Sequence, residues 1–210
     1  MSSRYCGRRN GRKDFADLTD GSASARRPVA VSRKDIPMRM RTYTFVTLDG
    51  YVSTPDGRPV QLLLPGFPGA SAYGLPDFLA GCEAVVMGRT TFLPALSAAE
   101  WPWTQPVFVL TSNPLPEGTP DDVTTAPTAN NLMQLMEASG VTGDVHLVGG
   151  PSTIQAFREI GALAEVGLLI LPLIQGGGVP LAPPGTEPLS LTLKSTRAFP
   201  DGVIEAKYVP

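Results

Sequence analysis

Three short apolar runs, each followed at once by small or polar residues, constrain this chain more than any other feature. They read "AVVMGRTTF" from Ala84, "VFVLTSN" from Val107 and "VHLVGGPSTIQAF" from Val145. A run that stays apolar at successive positions is buried on both faces, which is the situation of strands in a parallel sheet covered by helices. The first and third runs pass directly into helix-like segments, "RTTFLPAL" and "STIQAFREIG". Such strand–helix junctions recur in sheets whose ligands gather at the carboxyl ends of the strands.

The rest of the chain fits the same plan. "RTYTFVTLDGYVS" is a strand that meets a turn signal at Asp49-Gly50, and the Pro/Gly-dense "TPDGRPVQLLLPGFPGA" reads as a long loop. In "LPDFLAGCE", Pro76 suits a first helical turn and Asp77 favours the positive end of the helix dipole. "DDVTTA" is a short edge strand, while Leu132, Leu135 and Met136 stand at helical spacing ahead of a stop at Gly140. "EVGLLILPLI" is a central strand, and "LSLTLKSTRAFPDGVIEAKYVP" forms two strands around a Pro-Asp-Gly turn. The expected fold is α/β: a mixed, mostly parallel sheet with helices on both faces and a C-terminal antiparallel hairpin, formed by residues 39–210 as one domain.

Charge divides unevenly along the chain. Residues 1–38 carry nine Lys/Arg and four Asp/Glu, a balance of +5, whereas the remainder carries -7. With few large apolar side chains, residues 1–38 cannot bury enough surface to offset their ordering entropy, so a disordered basic extension is expected there. Its acidic residues and lack of an amphipathic pattern count against a nucleic-acid arm or a transit peptide. Two cysteines, Cys6 and Cys82, are too few for a zinc site. No apolar run reaches the length of a membrane span, and a cytoplasmic protein is expected.

Several chemistries are excluded. The chain has one histidine, His146, set in an alternating strand run where it reads as a packed residue. There is no Walker loop, no G-x-S-x-G elbow and no Cys/His cluster. What remains is the set of strand ends. Arg89 offers a planar fork of donors suited to phosphate, and Thr90, Thr111, Ser112 and Ser152 offer hydroxyls. Helix capping is the alternative role of Thr90 and Ser152. Gly149 and Gly150 place no side chain in the way of a pyrophosphate, and helix starts present free amides to anions.

These three segments, in this order, resemble the cofactor-binding segments of the dihydrofolate-reductase-like superfamily. "TFVTLDGYVSTPDG" and "LLILPLIQGGGVPL" are similar to its reductase branch, which includes the C-terminal reductase domain of the bifunctional riboflavin-biosynthesis deaminase-reductase and small stand-alone relatives. The resemblance spans nearly all of residues 41–209. It implies NADPH, with Arg89 and Thr90 at its phosphates and Thr111, Ser112 and Asn113 near the adenosine ribose. Gly149, Gly150, Ser152 and Thr153 would cradle the pyrophosphate. Asn113 stands where relatives often place a basic residue, so discrimination would lean on Arg89 and NADH is not excluded.

The same resemblance brings Asp49 and Asp77 forward as substrate contacts, beside their simpler roles in a turn and at a helix start. The proton of a reduction would come from Asp49, Asp77 or solvent. "FLPALSAAEWPWTQP" lacks the arginine that riboflavin-pathway members use for a ribose phosphate, and Ala164-Glu165 replaces their Asp-Glu. The expectation is therefore an NADPH-dependent reductase, homodimeric, acting on a carbonyl or imine carbon of a small pterin- or pyrimidine-like substrate. The alternative is a non-catalytic nucleotide-binding or dimerisation domain of the same fold.

Overall fold

The first strand, β1 (Arg39–Thr47), lies near the middle of an eight-stranded sheet and is hydrogen-bonded in parallel on both sides. A computed structural model describes residues 38–98 and 101–210; the expected extension over residues 1–38, Cys6 included, lies outside the described residues except for Met38. All described residues belong to one compact unit.

After β1 the chain turns at Gly50 (φ 88°), forms the short β2 (Tyr51–Ser53), and crosses two 3-10 turns into α1 (Leu75–Ala80). Then come β3 (Ala84–Gly88), α2 (Arg89–Leu96), β4 (Val107–Leu110), β5 (Val123–Ala126) and α3 (Ala129–Ala138). The chain continues through β6 (Asp144–Gly149), α4 (Pro151–Glu159), β7 (Leu163–Leu171), the two-residue β8 (Val179–Pro180), β9 (Thr192–Ala198) and β10 (Ile204–Val209). The main sheet runs β5-β4-β3-β6-β1-β7-β10-β9, and β2 pairs with β8 in a separate antiparallel ribbon. The six strands from β5 to β7 are parallel; β10 reverses against β7 and β9 reverses against β10. The expected mixed sheet and terminal hairpin are both present.

Alternation along the strands divides the core into two faces. Ala84 and Val86 of β3 and Val145 and Leu147 of β6 pack with Leu132 and Met136 of α3 and Phe157 of α4. On the opposite face, Val85 and Met87 meet Phe92 of α2, while Tyr43 and Phe45 of β1 meet Tyr73 and Phe78. His146 sits at the seam of these two clusters, edge-on to Phe78 of α1 and to Trp103.

Charge collects at the amino ends of the central strands. Arg41 pairs with Asp144 at 2.7 Å and with Glu165 at 2.7 Å, and Arg39 pairs with Asp144 at 2.6 Å. These ion pairs join the starts of β1, β6 and β7, leaving the carboxyl ends of the strands to line a cavity.

Candidate functional site

Parallel strands deliver their last residues to one edge of the sheet, and the helices that follow begin there. At that edge lies a cavity of about 590 Å³, bounded by Gly88 and Thr90, by Gly149 to Thr153, and by the β1 residues Tyr43 to Phe45. This volume suits a small ligand or cofactor.

Two helix starts face the cavity. α2 begins after Gly88 and α4 after Gly150, and neither start has a side-chain cap. Thr90 and Ser152 therefore do not act as caps, in contrast to Thr128, whose hydroxyl accepts a hydrogen bond from the Asn131 amide at the start of α3. In α4, Pro151 has no N–H and the Thr153 and Ile154 amides donate to the Gly150 carbonyl, so the Ser152 amide and the positive dipole end are what this start leaves for a ligand oxygen.

Glycine keeps this space clear. Gly149 has φ +127°, a Cβ added to it would meet nothing within 4 Å, and at Gly150 the nearest atom would be Thr91 Oγ1 at 3.9 Å. Such a methyl group would project into the cavity, so these residues fit a pyrophosphate cradle. The peptide joining the two glycines is cis. Gly88 serves packing instead: a Cβ there would lie 2.5 Å from Thr153 Oγ1.

The other candidates lie outside the lining. Arg89 Nη1 donates to the Pro114 carbonyl at 2.6 Å, which ties the start of α2 to the loop after β4. That loop holds Thr111, Ser112 and Asn113, and the Thr111 hydroxyl accepts from the Asn113 amide at 3.0 Å. Asp77 is exposed in the first turn of α1. Asp49 accepts hydrogen bonds from the Gln175 amide at 3.0 Å and the Gly176 amide at 2.6 Å. The Thr47 hydroxyl, followed by these amides, holds its carboxyl down at about 2. Asp49 is thus an ionised tie between the end of β1 and the loop before β8.

Sequence reasoning passed over the opposite wall. Tyr43, Phe45, Gln61, Leu75, Trp103 and His146 all line the cavity. His146 is 2% exposed, and neither imidazole nitrogen has a partner of good hydrogen-bond geometry. Burial pushes its pKa down to about 4; the Tyr43 backbone opposes this and Arg41 reinforces it. The Trp103 indole N–H is also buried without a partner. The Tyr43 hydroxyl is shared between the Tyr73 carbonyl at 2.6 Å and Glu205 at 2.5 Å, and burial together with Glu205 raises its pKa far above the usual phenol value. Residues so far apart in sequence converge through the tertiary fold, and period-two patterning alone gives no signal for them.

Comparison with known proteins places the fold in a family. The family model described as "RibD C-terminal domain" matches residues 40–204. A putative riboflavin biosynthesis protein from Shewanella sp. PV-4 superposes with TM-score 0.71 at 26% identity, covering 82% of this chain and 98% of that one. The chain is 26% identical to the uncharacterized protein YwjB of Bacillus subtilis strain 168 over 77% of its own length and 92% of that protein. A Thermotoga maritima diaminohydroxyphosphoribosylaminopyrimidine deaminase/5-amino-6-(5-phosphoribosylamino)uracil reductase shares the fold at TM-score 0.62 and 14% identity, covering 82% of this chain and 56% of that one.

Proposed function

The chain belongs to the RibD C-terminal domain family, and from that premise we propose that it is an NADPH-dependent reductase. Its substrate is a small heterocyclic compound reduced at a carbonyl or imine carbon. The observation that carries this reading is the pairing of two uncapped helix starts with Gly149 and Gly150 on one cavity wall. When bound there, NADPH supplies the hydride from its nicotinamide ring.

The chain's residues do the positioning. The Ser152 amide and hydroxyl at the start of α4, with the Thr153 hydroxyl, receive the pyrophosphate, while the start of α2 with Thr90 receives a neighbouring phosphate oxygen. Arg89, beside the Thr111–Asn113 loop, faces the adenosine end and favours a 2′-phosphate through its charge. Tyr43, Phe45 and Trp103 hold the substrate ring and exclude water. No carboxylate lines the cavity among the described residues, so the proton of the reduction comes from solvent.

Titration with NADPH and NADH, followed by nicotinamide fluorescence, tests this reading. The expected result is saturable NADPH binding that weakens about tenfold or more in Arg89→Ala, with a smaller loss for NADH, as removal of one charge-assisted contact implies. Equal losses for both cofactors would remove the role given to Arg89. Failure to bind either cofactor would remove the proposal.

A further inference from the structure

The cavity lining contains no Asp, Glu, Lys or Arg among the described residues. Its titratable side chains are Tyr43 and His146, and their environments oppose ionisation. The Tyr43 hydroxyl is bound to Glu205 and the Tyr73 carbonyl, and the His146 ring is enclosed between Phe78 and Trp103. Charged groups behind the wall are already engaged: Glu205 with Lys207 at 3.3 Å and Arg197 at 3.5 Å, and Arg41 with Asp144 and Glu165. A phosphate, carboxylate or ring cation at this wall would lose its hydration and gain no counter-charge.

Polar character is nevertheless present. Both His146 nitrogens and the Trp103 indole nitrogen are enclosed within the wall without a partner of good hydrogen-bond geometry, and Gln61 and Thr44 add an amide and a hydroxyl to the lining. A neutral polar edge can pair with the amide and hydroxyl of the lining without bringing a charge into the site.

From these observations we infer that the substrate end accepts an uncharged, planar carbonyl or imine compound and discriminates against phosphorylated or carboxylate-bearing ones. This inference rests on the reductase reading. It also narrows that reading, because it separates the substrate of this chain from the phosphoribosylamino compound after which the Thermotoga reductase is named.

Two matched pairs test it on the full chain, by thermal shift with and without saturating NADPH. They are 5-amino-6-ribosylaminouracil with its 5′-phosphate, and 6-methyldihydropterin with dihydrofolate. In at least one pair the uncharged member should bind tenfold or more tightly than its charged counterpart. Gln61→Arg, which places a cation on a partly exposed part of the lining, should raise affinity for the 5′-phosphate about tenfold relative to the uncharged member of that pair. Charged members binding as tightly as uncharged ones would overturn the inference, as would failure of both uncharged members to bind. NADPH binding is read separately, so loss of the cofactor reading is distinguishable from loss of this one.

Discussion

Gly150 and His146 show how single residues define the two ends of the cavity. Gly150 has φ −76° and ample room for a Cβ, so Gly150→Ala is compatible with the fold while its methyl group enters the cradle. We expect a stability loss within about 1.5 kcal/mol, the usual range for a permitted glycine replacement. NADPH affinity should fall tenfold or more, a separation that paired thermal and fluorescence titrations will detect. His146 predicts a pH effect. Its folded pKa of about 4 lies below the ordinary 6.5, so the unfolded chain takes up its proton first as pH falls. Its contribution is intact above pH 6.5 and is lost between 6.5 and about 4, amounting to about 3 kcal/mol. His146→Phe should lack this loss, and denaturant unfolding of both proteins at pH 7, 5 and 4 checks it. The sequence placed His146 in a strand as a packed residue, which it is. Alternation could not reveal that a buried ring lacking hydrogen-bond partners would also line a cavity, because Phe78 and Trp103 reach it from distant segments.

At the level of elements, the legible parts are those whose order is local. The apolar runs of β3, β4 and β6 are strands, the Leu132–Met136 spacing is α3, and the Pro-Asp-Gly turn joins β9 to β10. "DDVTTA" contributes β5 at the sheet edge, as its mixed polarity indicates. The β2–β8 ribbon was not legible. It comprises three residues and two residues separated by more than a hundred positions, with no alternation long enough to read. Its geometry depends on Gly178, which has φ +138°; a Cβ there would overlap the Ser53 carbonyl oxygen. Gly178→Ala should therefore cost about 2 kcal/mol or more, since backbone overlap and a positive φ act together. A fall of several degrees in the thermal midpoint checks this, and a midpoint equal to the parent's would show that the ribbon adapts.

Over the whole molecule, the central ion pairs and the ligand site occupy opposite ends of the parallel strands, with Asp49 and Arg89 at the carboxyl ends but outside the cavity lining. The ion pairs of Arg39 and Arg41 gather at the amino ends, and the uncharged cavity lies at the carboxyl ends. A cofactor that spans the starts of α2 and α4 links two parts of the fold, so its binding should be visible as global stabilisation. At a free NADPH concentration one hundred times its dissociation constant, the folded state should gain about 2.7 kcal/mol. The thermal midpoint should then rise with the logarithm of NADPH concentration, and a midpoint independent of NADPH would contradict the proposed site. The amino-acid sequence by itself determined the strand–helix order, the family resemblance and the glycines between β6 and α4, because these depend on neighbouring residues and on backbone freedom. From its place between a strand and a helix alone, Gly149-Gly150 read as a turn; its coincidence with Arg89-Thr90 and Thr111-Ser112 at two other strand ends made it a candidate pyrophosphate site. Only the tertiary structure decided that Asp49 is committed to the Gln175–Gly176 backbone and that Asp77 lies outside the cavity lining. It also decided that Tyr43, Gln61, Trp103 and His146 share one uncharged wall. Those outcomes depend on which distant segments meet and on where each side chain finds its partner, and neither is encoded in local periodicity.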